Sequence, residues 1–315
     1  MARHRALTNR TVSKSLHVAG QTNGGTQIQR DGVFVSSSAI KARTVSGVVE
    51  ECARRGLRHL ELTSSFPHYA RIRQEVAAAA REGMRLLLHN YFPPPQHGFV
   101  LNLASADPTI LHRSIEHCRA GLELCAEIGA PFFSVHAGFS VDPKPSDLGH
   151  RLTPDGPRTK AEAAKAFHDT VALLCETAEH LGIAILIENN VLSRPSLVNG
   201  RNELLLGVTG DDFDDLFDAV PSRSLGMLLD VAHLKVSAQT LGIDRDRTIE
   251  HVRSYVRALH LSDNNGERDN NQPFNEDAWF LPHLKTFSGI VCVIETRPLD
   301  RSALAGCVRI VEEVR

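Results

Sequence analysis

The sequence predicts a single-domain α/β protein, a closed (β/α)8 TIM barrel, and three observations carry that prediction. Short, continuously apolar runs alternate with amphipathic stretches from residue 33 to the C-terminus. Runs that are apolar on both faces belong to parallel strands covered by helices. Eight such units fit in 33–315, the span in which this architecture closes. The competing architecture is an open doubly wound sheet. No G-x-G-x-x-G follows the first strand and no G-x-x-x-x-G-K-[ST] occurs anywhere, so no nucleotide cofactor is expected.

Each unit can be justified in turn. The first strand is FVSSS at 34–38, followed by Val45, Val48, Val49, Cys52 and Ala53 at helical spacing and stopped by Gly56. The second is LRHLELTSS, ending near Ser65, with an Ala-rich helix over 71–82. The third is MRLLLHNY at 84–91, then a Pro-rich loop and a helix announced by Asp107 as N-cap and Pro108 at the first helical position. Leu111, Ile115, Cys118, Leu122, Cys125 and Ile128 form that helix's apolar stripe. The fourth strand is PFFSVHAGF, with a helix over 161–181. The fifth is IAILIENN, the sixth SLGMLLDVAH, the seventh VRALHLSDNN and the eighth IVCVIETRP, with a last helix from about 301.

Residues 1–32 stand apart. They carry Arg3, Arg5, Arg10, Lys14 and Arg30, no acid before Asp31, and no apolar period, which predicts a disordered or loosely packed extension. In the whole chain of 315 residues, Lys+Arg 35 against Asp+Glu 37 gives a net charge of -2. A dedicated nucleic-acid or membrane-surface binder needs a basic excess. Nothing approaches the ~18 consecutive apolar residues of a membrane span, and the N-terminus lacks a secretory apolar core, so a cytoplasmic location is expected. The six cysteines include no C-x-x-C pair and read as small buried hydrophobes. The 16 histidines, beside only 3 Tyr and 1 Trp, are the conspicuous surplus.

In a (β/α)8 barrel the loops after the strands converge on one mouth, so strand ends are where chemistry gathers. Those ends carry His89, His136, Glu188, Asp230, His233, His260 and Glu295. One such residue is ordinarily a loop anchor. Several carboxylates and imidazoles in one cavity repel or desolvate one another unless a cation joins them. Oxygen and imidazole donors without thiolate suit Mn2+, Mg2+, Co2+ or Zn2+.

The set I-E-N-N at 187–190, L-D-V-A-H at 229–233, H-L-S-D-N at 260–264 and I-E-T-R at 294–297 resembles the xylose-isomerase-like TIM-barrel superfamily, with its sugar and sugar-phosphate isomerases and epimerases. The resemblance runs over about 33–315. It implies one divalent ion held by Glu188, Asp230, His260 and Glu295, with Glu188 and Glu295 also moving the proton beside a carbonyl through a cis-enediolate. It implies substrate contact or support of Asp230 for His233, and frequent dimers or tetramers. H-N-Y at 89–91, V-L-N-L-A-S at 100–105 and S-V-H-A-G at 134–138 resemble endonuclease IV, a nuclease of the same fold acting on abasic DNA. That resemblance implies further ligands at His89, His136, His233 and Asp269. The position of its last histidine holds Asn271, a poor partner for a transition metal.

His89 and His136, with Asp269, are therefore candidates for a second metal site or for substrate contact. Arg297 is a candidate for an anionic substrate group, or a loop ion pair, and Asn190 for substrate hydroxyls or loop ordering. Lys235 reads as solvated, and DDFDD at 211–215 as an exposed helix start favoured by the helix dipole. The leading expectation is a metal-dependent isomerase or epimerase of a small sugar, sugar phosphate or related polyol. A keto-polyol dehydratase or lyase on the same site, an abasic-site phosphodiesterase and a catalytically silent barrel are the alternatives.

Overall fold

The computed structural model describes residues 32–287 and 289–315, so the expected extension 1–32 lies outside the described residues apart from Gly32. The strands are β1 Val33–Ser36, β2 His59–Leu62, β3 Arg85–His89, β4 Phe132–His136, β5 Ala184–Glu188, β6 Leu225–Asp230, β7 Val256–Leu261 and β8 Val291–Ile294. They pair in sequence order, every pair parallel, and β8 closes on β1. Helices α1 Val45–Arg54, α2 Ile72–Arg81, α3 Pro108–Ile128, α4 Lys160–Leu181, α5 Gly210–Ala219, α6 Val231–Leu241, α7 Arg245–Val252, α8 Leu281–Leu284 and α9 Arg301–Val314 connect them. No described helix is long and apolar enough to cross a membrane. All six cysteines are buried.

Local chemistry explains the helix ends. Asp107 accepts from the amides of Thr109 and Ile110 at the start of α3, and Thr159 with Glu162 forms a reciprocal capping box on α4. Gly129 and Gly182 end these helices in the left-handed region. The acidic run 211–215 sits in α5, where Asp212 closes a capping box with Thr209 and Phe213 is buried. The strands are shorter than the apolar runs suggest. β1 gives way at Ser37 to a single 3-10 turn, and β2 stops at Leu62, three residues before Ser65.

Side chains alternate along each strand, and the register sorts them into two compartments. Most helix-facing residues merge with the helices into the main core. The inward ones form a separate plug of Phe34, Leu87, Phe132, Ala184, Leu186, Leu228, Ala258, Val291 and Val293. One step further along the strands the inward positions turn polar. Ser36 lies beside Glu61, His89 beside Ser134, His136 beside Glu188, and Asp230 beside His260.

The β6–β7 pairing is irregular. It shifts by one residue between Met227 and Leu228, so that Val256 pairs with Met227, Ala258 with Leu228, and Arg257 is left over. Val256 joins the outer core while Ala258 joins the plug, so the alternation of β7 changes phase at Arg257. Gly226 makes the space beneath. A Cβ there would lie 2.6 Å from both Arg257 Cδ and Leu186 Cδ2. Gly226→Val is therefore expected to lower the unfolding free energy by ~1–3 kcal/mol through overpacking, as measured by urea denaturation. An unchanged midpoint and slope would show that the plug has room to spare.

Candidate metal centre

Five side chains share the mouth because each stands at an inward position near the end of its strand. His89 ends β3, His136 ends β4, Glu188 ends β5, Asp230 ends β6, and His260 stands next to last in β7. Glu295 follows β8 directly, its amide donating to Leu261 O at 3.1 Å. His233 differs from the expectation of a strand position. The chain enters α6 at Val231, Asp230 caps that helix by accepting from the His233 amide at 2.7 Å, and His233 therefore projects from a helical first turn. Its Nδ1 lies 2.8 Å from Asn189 O and its Nε2 3.3 Å from Asp269 Oδ2.

Two donor groups share Glu188. In the first, Glu188, Asp230, His260 and Glu295 each present a ligand atom within 4.8 Å of the others. His260 Nδ1 is 2.8 Å from Glu295 Oε2, 3.2 Å from Glu188 Oε1 and 3.9 Å from Asp230 Oδ2. In the second, His89 Nε2 and His136 Nδ1 each lie 3.3 Å from Glu188 Oε2. Asp269, expected with these two histidines, meets His233 instead. Asn271, with its amide nitrogen turned inward, donates to both oxygens of Asp269 at 2.9 and 3.2 Å.

The charges are interdependent. Glu188 has no exposed side-chain surface. Burial works against its ionised form, but His136, His89 and His260 together hold its carboxyl well below the ordinary range. Burial likewise opposes ionisation of Glu295, yet the adjacent His260 holds it down at about 2. Asp230 goes the other way, raised to about 7 by burial reinforced by Glu188, Asp269 and Glu295. Burial disfavours the charged imidazoles of His260 and His233. The surrounding carboxylates win, Glu61, Glu295 and Glu188 for His260 and chiefly Asp230 and Asp269 for His233, raising both well above the usual value.

Glu61 is not among the expected site residues. It lies inside β2, fully buried, with Oε1 3.1 Å from His260 Nε2. With His89 and His260 it makes a third group of donors within 4.8 Å. The available signal is an acid between Leu60 and Leu62 in a strand of a barrel whose strands are buried on both faces.

The remaining candidates separate. Asn190 lines the mouth, but its side-chain nitrogen donates to Ala137 O, Gly138 O and Leu206 O, which makes it a loop tie rather than a free donor. Arg297 is exposed, and its backbone amide donates to Asn271 O at 2.9 Å. Lys235 is not solvated as expected. It pairs with Asp263 at 2.6 Å and donates to Asn264 O. A cavity of about 350 Å3 opens over His136, His233 and Asp269. Val100, Leu101, Phe139 and Leu152 line its walls, and Arg268 stands at its edge.

The sequence profile described as Xylose isomerase-like TIM barrel matches residues 49–307. A D-tagatose 3-epimerase-like protein shares 19% identity over 90% of this chain and 97% of its own, with a TM-score of 0.68. The 3-keto-D-glucoside 4-epimerase of E. coli shares 14% over 91% and 99%, at 0.63. A Thermus thermophilus protein soaked with ZnCl2 shares 22% over 90% and 98%, at 0.60. At these identities the similarity establishes a common fold. A search of curated proteins found no significant match.

His233 and His260 keep their protons above about 6.5, where an unfolded chain releases them. Raised folded-state values mean stability that is present below that pH and lost as pH rises through them. The metal-free protein is thus expected to become less stable above pH ~6.5, and a divalent ion, by taking the place of the His260 proton, to flatten the decline. Thermal unfolding with a chelator and then with Zn2+ measures both. Identical slopes under the two conditions would contradict the arrangement.

Proposed function

Because the chain belongs to the xylose isomerase-like TIM barrel family, we propose that it is a divalent-metal-dependent isomerase or epimerase of a small sugar, sugar phosphate or related polyol. The observation that carries this reading is the convergence of Glu188, Asp230, His260 and Glu295, from the ends of four successive strands, on one space small enough for a single ion. The residues fit such a group. Glu188, Asp230 and His260 are buried, Glu295 is half-buried, and Glu188 Oε2 is buried without a hydrogen-bond partner. Carboxylate oxygens with one imidazole suit Mn2+, Mg2+, Co2+ or Zn2+. When bound, the ion polarises a carbonyl and its neighbouring hydroxyl.

The side chains supply the rest. Glu188 and Glu295 are both held ionised, so either can take the proton from the carbon beside a carbonyl, and inversion of that carbon requires the other, carrying a proton, to deliver it to the opposite face. They stand at the ends of β5 and β8, separated by β6 and β7, and an epimerisation requires them to meet that carbon from opposite sides. His136, His233 and Asp269 present polar atoms to the cavity and serve substrate hydroxyls. Arg268, which lines the cavity, is the cation this reading assigns to a phosphate or carboxylate, beside the candidate Arg297. His89 and His136 with Glu188 form a second donor group, and counting bound ions decides whether it holds metal.

Candidate ketoses incubated with the metal-loaded protein in D2O should gain deuterium at the carbon next to the carbonyl. Glu188→Gln and Glu295→Gln should each reduce that exchange by about 10²–10⁴-fold, and a chelator should abolish it. Exchange that survives both substitutions would remove the glutamates from the mechanism. Cleavage of an abasic duplex in place of exchange would point to phosphodiester chemistry instead.

A further inference from the structure

We infer that Glu61 is a positioning residue that fixes which nitrogen of His260 faces the ion, a role that rests on the metal-centre reading above. The two nitrogens of His260 have opposite surroundings. Nδ1 looks onto Glu295 Oε2 at 2.8 Å and Glu188 Oε1 at 3.2 Å, whereas Nε2 looks onto Glu61 Oε1 at 3.1 Å. A neutral imidazole has one N–H and one lone pair. With the proton on Nδ1, the ring would only donate to the carboxylates and would have no electron pair to give an ion held among them. With the proton on Nε2, donated to Glu61, the Nδ1 lone pair points into the tetrad. Glu61 is the acceptor that makes the second tautomer the stable one.

The position of Glu61 supports a role beyond packing. It reaches His260 across the barrel interior from β2, with no exposed surface, and its Oε2 is buried without a hydrogen-bond partner. A carboxylate in such a place is costly unless it is paired, and the partner its position provides is His260. His89 stacks edge-on against His260 at 4.9 Å, so Glu61 and His89 together limit rotation of the ring. Ring aim and tautomer are then set from behind, by a strand that supplies none of the four tetrad residues.

The test uses the full chain with ZnCl2 or CoCl2 alone as probe. Glu61→Leu should weaken metal affinity by about 10–100-fold and change the visible spectrum of bound Co2+, and the metal-free variant should unfold below the wild-type temperature because one partner of a buried pair is gone. Glu61→Gln, whose amide oxygen still accepts from Nε2, should restore affinity to within a few-fold. Wild-type affinity and spectrum in a folded Glu61→Leu protein would overturn the inference, as would equal losses in the Leu and Gln variants. If the Leu variant fails to fold, 15N NMR of the zinc-loaded wild type decides. A proton on His260 Nε2 and none on Nδ1 is expected, and the reverse overturns the role. A wild type that takes up neither metal would instead overturn the metal-centre reading itself.

Discussion

The constraint on which the mouth of this barrel depends is the burial of Glu188. A carboxylate removed from water is tolerable only if positive charge or donors surround it, and here three imidazoles do so, from β3, β4 and β7. Each of those strands must therefore end in register with β5, which fixes the relative heights of four strands at once. The imidazoles in turn need partners of their own. His260 draws Glu295 and Glu61, and His233 draws Asp269. Asp230, buried beside Glu188, Asp269 and Glu295, is left with its carboxyl raised to about 7. The mouth thus gathers five carboxylates, Glu61, Glu188, Asp230, Asp269 and Glu295, around four imidazoles, His89, His136, His233 and His260.

Holding such a cluster needs loops that do not drift, and buried asparagines provide them. Asn189 both donates to Asp230 O and accepts the Asp230 amide, locking the end of β5 to the end of β6. Asn190 gathers three carbonyls, Asn264 ties Ala232 O to the Gly266 amide, and Asn102 accepts from the amides of Ala104 and Phe139 while donating to Val141 O. An asparagine side chain can satisfy donors and acceptors together without adding charge, which suits loops packed beside an already charged centre.

The barrel is legible in the sequence because its signals are local: apolar runs, helical stripes, N-caps and terminating glycines each report within a few residues. The tetrad is legible for a related reason, since each member lies at the end of a strand's apolar run and the family resemblance aligns all four. Three features escape because they depend on geometry that no short window contains. Glu61 reads as an interior polar residue of a strand that continues to Ser65, and only the closed barrel brings it to His260, 199 residues away. His233 reads as part of β6 because Val231 and Ala232 extend the apolar run, whereas Asp230 is already capping a helix. Lys235 reads as solvated until the loop after β7 brings Asp263 beside it.

The leftover residue in β7 separates the length of that strand from the orientation of its far end. Counted alternately from Val256, which faces the helices, His260 would face the helices too; it faces Glu188 and Glu295 in the mouth because Arg257 is skipped in the pairing. Above the irregularity the register is held by the pairing of Asp230 with His260, so the surplus residue is absorbed at the floor and the mouth is left undisturbed. A barrel of this kind can therefore gain or lose a residue near the start of a strand without turning a ligand away from the centre. A register counted upward from Val256 would place His260 one position out of phase with Asp230, the residue it actually pairs with.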